Sequence, residues 1–266
     1  MTSVEFSKEI RLKTLEMVYK AKASHIGGAF SMADILAVLY TDILRIYPHA
    51  PQATDRDRFV LSKGHACTSL LATLAIKDFF PVEELGTYAQ NGSRLLSHTS
   101  HYVPGVELSA GSLGHALPVC VGFALAAKRK QEQWKTYCLV SDGELNEGSN
   151  WESILLAPQL MLDNLVLIVD YNKIQSLGAV KDVIELEPLK QKFEAFRWDV
   201  FETDGHDHVA LKLAFTAAMQ ENKRPKVIIA HTVKGKGVSF MEDKLLWHYK
   251  SPDEKQYSEA IAELSA

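Results

Sequence analysis

Three shortages in the sequence limit what the protein can be. No apolar run approaches the roughly 20 residues that a membrane-spanning helix requires, and the stretch from Met1 to Lys20 is charged and helical in pattern, without the apolar segment of a secretory leader. Cysteine is scarce: Cys67, Cys120 and Cys138 lie far apart and form no CxxC pair. An odd, scattered set argues against a disulfide framework and fits a reducing compartment, so a cytoplasmic location is expected. Excess positive charge is also missing, since 29 Lys and Arg against 33 Asp and Glu give a formal charge of −4. That balance leaves no broad attraction for nucleic acid or an anionic membrane, so any bound phosphate must be held by local groups. Repeats, low-complexity tracts and Pro/Ser-rich linkers are absent too, and residues 1–266 read as a single domain.

What the sequence does have is one recurring grammar. Residues 5–22 form an amphipathic pattern, with Ile10, Leu15, Met17 and Val18 between charged residues. Ser24-His25-Ile26-Gly27-Gly28 interrupts it, and Ser31 stands where it could cap a helix through Asp34, Leu36 and Leu39. Five short apolar runs then each end in a polar turn: Arg58 to Leu61 before Ser62-Lys63-Gly64-His65, Thr136 to Val140 before Ser141-Asp142-Gly143, Leu165 to Val169 before Asp170-Tyr171-Asn172, Trp198 to Phe201 before Asp204-Gly205-His206, and Lys226 to Ala230 before His231-Thr232. Helical stretches near 146–160, 188–197 and 207–222 separate the later runs, and the tail from Lys255 to Ala266 is helical in pattern. Nearly continuous apolar strands alternating with helices predict an α/β fold with a mostly parallel sheet covered on both faces. Ligands of such sheets bind beyond the carboxyl ends of the strands, which is where the polar turns fall.

The most informative of these turns are Ser141-Asp142-Gly143-Glu144-Leu145-Asn146-Glu147-Gly148 and Asp170-Tyr171-Asn172-Lys173-Ile174. Asp142 and Asn172 are one β-α-β unit apart, so both can reach neighbouring strand ends. A carboxylate, an amide oxygen and a free backbone carbonyl are hard oxygen ligands suited to Mg2+ or Ca2+. They would leave octahedral positions open for phosphate oxygens and water. Gly143, without a Cβ, allows its N–H to come close to a phosphate, and the helix start that follows favours the anion.

This segment resembles the thiamine diphosphate signature, which begins GDG and ends about thirty residues later in Asn, with Ser141 here replacing the first glycine. Other segments resemble transketolases, in order and in register, from about residue 20 to 250: Ala23 to Gly28, Ser62-Lys63-Gly64-His65, Ser97-His98, Asp204-Gly205-His206-Asp207, Thr232 to Gly237 and Trp247-His248. Pro104-Gly105-Val106-Glu107 through Ala110-Gly111-Ser112-Leu113-Gly114 is similar to that family's PGVE…TGPLGQG stretch. Tyr249 stands where the family usually has Gly after the histidine. Lys63 stands where larger transketolases often have Asn and smaller split forms have Lys.

The resemblance implies a three-layer thiamine-diphosphate-binding fold in which Asp142, Asn172 and the carbonyl of Ile174 bind the metal and Gly143 the diphosphate. It implies that His25 and His98 meet the carbonyl and hydroxyl region of a ketose donor. His65 would lie near the diphosphate and thiazolium, and His248 would bridge diphosphate and substrate. Gly111 and Leu113 would line the pocket against the cofactor rings, with Ser112 and Glu144 as further cofactor contacts. Two-carbon ketol transfer by this coenzyme requires protons to leave and return to hydroxyls near neutral pH, where histidine titrates. His49, His101, His115, His206, His208 and His231 carry no such motif and are expected to be structural or superficial. Glu147 and Glu152 read either as helix-start carboxylates favoured by the dipole or, by resemblance, as part of a dimer contact.

The resemblance also implies something this chain does not carry. Full transketolases have a second domain with the glutamate that protonates the aminopyrimidine ring and the aromatic that stacks on it. The expectation is therefore a split enzyme: an N-terminal subunit pairing with a C-terminal pyrimidine-domain subunit, in an α2β2 heterotetramer acting on sugars or sugar phosphates. The alternatives are the α subunit of a 2-oxo acid dehydrogenase, a piece of a deoxyxylulose-phosphate synthase, or a non-catalytic scaffold subunit.

Overall fold

The computed structural model describes all 266 residues. Five parallel strands form one sheet in the order β1-β2-β3-β5-β4: β1 Arg58–Leu61, β2 Thr136–Ser141, β3 Leu165–Tyr171, β4 Asp199–Asp204 and β5 Lys226–His231. All five begin within a residue of the predicted runs. Every residue of β3 is buried, as expected for the central strand of a sheet covered on both sides, whereas β4 at the edge has a single buried residue.

Ten α-helices surround the sheet: α1 Ser3–Ala21, α2 Ile26–Ser31, α3 Ala33–Val38, α4 Cys67–Ile76, α5 Ala116–Arg129, α6 Gly148–Gln159, α7 Val180–Val183, α8 Leu189–Ala195, α9 His208–Ala218 and α10 Glu254–Ser265. Alternate strand side chains serve opposite layers. Tyr137, Leu139, Val166, Ile168 and Ile228 pack with α1, α3, α4 and α9. Cys138, Val140, Leu167, Val169, Val227 and Ile229 pack with α5, α6 and α8. Each such large side chain contributes roughly 1.5–3 kcal/mol by leaving water. The three-layer α/β/α fold follows from that alternation. A smaller third cluster joins α1, α2 and α10 to Val238, Met241 and Trp247, and so fixes the segment that carries His248.

Ser31 departs from its predicted role. It is the last residue of α2 and caps nothing; its hydroxyl donates to the Gly28 carbonyl and to Asp170. The helix that follows starts without a side-chain cap, because the hydroxyl is used under the sheet edge.

One buried polar cluster ties the outer layer to the site. Arg11 of α1 grips Asp34 of α3 with both terminal nitrogens, at 3.0 and 2.6 Å. His206 and His208 reach the same carboxylate through Nδ1 and Nε2, at 2.7 and 3.1 Å. The Val233 N–H donates to Nε2 of His206, so that ring carries its proton on Nδ1 and donates it to Asp34. This holds the loop after β5, and Lys234 with it, against α3. Although burial opposes ionisation, Arg11 and the two histidines hold the Asp34 carboxyl well below the usual carboxylate range. A depressed native pKa adds stability above the unfolded value of about 3.9 and loses it as pH falls towards the native pKa. Asp34→Asn should therefore lower the melting temperature at pH 7, and the gap from the unmutated chain should narrow below about pH 4; a gap constant from pH 3 to 7 would count against this linkage.

Candidate active site

Parallel pairing of β2 and β3 sets Ser141 beside Asp170, so the residues leaving both strands emerge at the same edge. The Asp142 N–H donates to the Asp170 carbonyl at 3.3 Å. One Asp142 carboxylate oxygen accepts the Gly143 N–H at 2.7 Å, and the other accepts the Lys173 N–H at 2.6 Å. The Asn172 amide oxygen accepts the Ile174 N–H at 3.1 Å. Asp142, Asn172 and Ile174 all line one cavity of about 200 Å3, together with Gly143, Leu113, Lys63, Lys234, His25, His65 and His248.

The chemistry of this donor set fits a divalent cation. Asp142 is 1% exposed, and its hydrogen bonds come from backbone N–H groups. Burial and the nearby negative Asp170 push its carboxyl up to about 6. A cation at the cavity floor would relieve both effects. One carboxylate, one amide oxygen and one carbonyl make a hard but charge-poor set, leaving an anionic ligand to supply further oxygens. Groups suited to that anion are present. Lys234, 2% exposed, donates from Nζ to the Ile174 carbonyl at 2.9 Å and lies 3.2 Å from Nδ1 of His248. Burial lowers its ammonium to about 8, which leaves it charged at neutral pH. Gln175, also on the cavity wall, has an Nε2 donor without a partner, and its side chain sits where a Cβ on Gly143 would press against it at 3.2 Å.

Four histidines stand over this floor. Ring centroids of His25 lie 5.1 Å from His65, 5.0 Å from His248 and 6.5 Å from His98. His25 adopts a left-handed backbone, φ 70°, at the start of α2. Its N–H donates to the His248 carbonyl at 3.0 Å, and Ser24 Oγ lies 3.0 Å from its Nδ1. Such a conformation costs a non-glycine residue about 1–3 kcal/mol, offset here by the contact with His248. Burial, reinforced by Lys63, lowers His65 to about 2; burial and Lys234 lower His248 to about 3; burial and His98 lower His25. These rings are neutral at neutral pH. Because their native pKa lies below the unfolded value of about 6.5, they favour the folded chain above that pH and disfavour it progressively below.

Beneath the cavity, Asp170 receives Lys63, Ser31, Thr232 and Asn172. Lys63 also donates to the Gly28 carbonyl at 2.8 Å.

The family sequence model for the transketolase thiamine diphosphate binding domain matches residues 3–256. The chain belongs to the transketolase family. It is 44% identical to an apulose-4-phosphate transketolase subunit of Phocaeicola vulgatus, over 97% of this chain and 92% of that protein. It is 40% identical to the 6-deoxy-6-sulfo-D-fructose transketolase subunit SqwG of a Clostridium species, over 96% and 93%. The crystal structure of transketolase from Campylobacter jejuni superposes with a TM-score of 0.92 at 33% identity, covering 98% of this chain but 43% of that one. Against such longer transketolases the chain spans about two-fifths of their length.

Placed on this transketolase fold, the motif residues do not all do what the sequence implied. His25, His65, His248, Asp142, Gly143, Asn172, Ile174 and Leu113 line the cavity. His98 adjoins it through His25, and Gly111 faces His98, since a Cβ there would lie 3.9 Å from the His98 ring. Ser112 is exposed and outside the lining. Glu144 is completely buried and outside the lining, and its carboxylate accepts from the Ser62 hydroxyl and from the Gly114 and Ser141 N–H groups. Glu147 and Glu152 are exposed on and before α6. Lys234, Gln175, Ser176 and Gly28 are lining residues to which the sequence assigned no role. Lys234 lies in the Thr232 to Gly237 motif, but its burial cannot be read from that motif.

Gly64 shows how tightly the histidine loop is set. A Cβ at this position would fall 1.8 Å from the Ala110 carbonyl oxygen. Gly64→Ala should cost about 3 kcal/mol or more in denaturant unfolding, while Gly111→Ala should stay within about 0.5 kcal/mol; equal costs would contradict the packing described. In the coenzyme-free chain, 15N spectra should show His65 and His248 as neutral imidazoles down to pH 5, and protonation of either ring between pH 6 and 7 would overturn their assignment as desolvated.

Proposed function

We propose that this chain is the coenzyme- and metal-binding subunit of a two-subunit transketolase, transferring a two-carbon ketol unit from a ketose or ketose phosphate to an aldose acceptor. The observation that carries the reading is the convergence of Asp142, Asn172 and the Ile174 carbonyl on the floor of the cavity that His25, His65 and His248 roof. Family membership supports thiamine diphosphate as the coenzyme. The oxygen ligands support Mg2+ or Ca2+. The names of the relatives from Phocaeicola and Clostridium as transketolase subunits support a partner chain. That partner would be a pyrimidine-domain subunit completing an α2β2 heterotetramer. The buried free cysteines fit a cytoplasmic setting, and no helix is long and apolar enough to cross a membrane.

Bound thiamine diphosphate supplies the carbon nucleophile and the electron sink for breaking and making the bond beside a ketose carbonyl. The chain's own residues bind, orient and exchange protons. Asp142, Asn172 and Ile174 would hold the metal, and Lys234, on leaving the Ile174 carbonyl it meets in the free chain, would join the unpaired Gln175 amide in meeting the anionic oxygens. Because the Lys234 ammonium donates to Nδ1 of His248, that neutral ring keeps its proton on Nε2 and presents it as a donor. Ser24 occupies Nδ1 of His25, leaving Nε2 for a substrate hydroxyl. Kept neutral by burial, these rings are in the base form that can accept a hydroxyl proton.

Of the other readings, a dehydrogenase-type α subunit lacks support from the family match, and a scaffold has no use for a desolvated carboxylate beneath four clustered imidazoles. The test is thermal. With its partner, Mg2+ and thiamine diphosphate at about 100 times Kd should stabilise the chain by about 2.7 kcal/mol, and Asp142→Ala should abolish that gain. Stabilisation that survives the substitution would remove the metal site from 142, and absence of ketol transfer by the reconstituted pair would remove the activity.

A further inference from the structure

Asp170 is fully buried and outside the lining of the site cavity, yet it contacts one of the residues at the heart of the site. Its carboxylate lies between the ends of β1, β3 and β5 and receives the Lys63 ammonium, the Ser31 and Thr232 hydroxyls, and Nδ2 of Asn172 at 3.4 Å. The last contact distinguishes it from an ordinary buried ion pair. An asparagine amide has two ends of similar shape and opposite polarity, and only the oxygen can ligate a cation. An ionised carboxylate accepts and never donates, so it can face only the nitrogen end. The Ile174 N–H, a donor, meets the oxygen end at 3.1 Å.

We infer that Asp170 is a positioning residue for the metal site: it fixes the amide of Asn172 with its oxygen towards the cavity, while Lys63 supplies the countercharge that keeps Asp170 anionic in the interior. The inference rests on the metal reading above and deepens it. Its logic is that of outer partners that orient ligands, whose loss lowers metal affinity about 10- to 100-fold. Lys63 thus has a double duty. It pairs with Asp170, and from the cavity wall its charge adds to the burial that keeps His65 neutral.

The test separates orientation from stability. Replacing both buried charges together, Asp170→Leu with Lys63→Met, removes the ion pair without stranding either partner, an exchange that proteins commonly tolerate. In the complex with the partner chain, Mg2+ titrated calorimetrically at saturating thiamine diphosphate, at a temperature where the variant is fully folded, should bind about 10- to 100-fold more weakly to this variant. Adding Asn172→Asp to the same variant should restore binding, because a carboxylate has two equivalent oxygens and needs no orienting partner. Mg2+ affinity of the folded variant within twofold of the unmutated protein would overturn the inference. If the apolar pair fails to fold, Asp170→Asn with Lys63→Met asks the same question, since an amide at 170 no longer dictates which end of Asn172 it meets; at least fivefold weaker binding is expected, and unchanged binding overturns it. Should the unmutated complex bind no Mg2+ that Asp142→Ala abolishes, the metal reading itself falls and takes this inference with it, an outcome distinct from a loss confined to the variants.

Discussion

A single buried carboxylate organises the working edge of this protein. Asp170 sits at the end of the central strand, below the cavity floor, and is met from three directions by Lys63 after β1, Thr232 after β5 and Ser31 at the end of α2. Removing any one element from the sheet edge would leave part of this network desolvated and unpaired, at a cost of several kcal/mol for a charged group. The positions of His65, two residues after Lys63, and of Lys234, two residues after Thr232, are therefore consequences of how one aspartate is satisfied.

Above that floor the electrostatics are unbalanced in a way that suits a ligand. Lys234 is charged but buried, three imidazoles are kept neutral by desolvation, and Asp142 is pushed towards protonation. None of these groups is comfortable alone. A divalent cation together with a diphosphate would restore ionisation to Asp142, give Lys234 its counter-anion and leave the imidazoles as hydrogen-bonding partners. On the proposed reading, two opposite charges arriving together would suit a donor set with one carboxylate, where an all-protein metal site would need several.

Much of this is legible in the sequence, for identifiable reasons. The strands are, because runs such as Leu165 to Val169 are too apolar and too short to be anything but covered parallel strands. Asp142 and Asn172 are, because a β-α-β unit places successive strand ends side by side. The four histidines are readable only by resemblance, since they come from the residue before α2, the turn after β1, a loop and the segment before α10, and no spacing rule unites them. Asp170 stands in one of the informative turns without any local sign of its role. Its partners depend on β5, not β4, lying beside β3, and strand order is not written in local pattern. Ser31 misleads for the same reason: it looks like a helix cap until Asp170 beneath it is known.

The claim most exposed to measurement is the joint hold of Asp142, Asn172 and Ile174 on one ion. A crystal structure of the assembled enzyme with thiamine diphosphate and Mn2+ substituted for Mg2+ would place that ion by its anomalous signal. The expected result is an ion about 2.0–2.3 Å from a carboxylate oxygen of Asp142, the amide oxygen of Asn172 and the Ile174 carbonyl. An ion bound to other residues, or an Asn172 turned with its nitrogen towards the coenzyme, would contradict it.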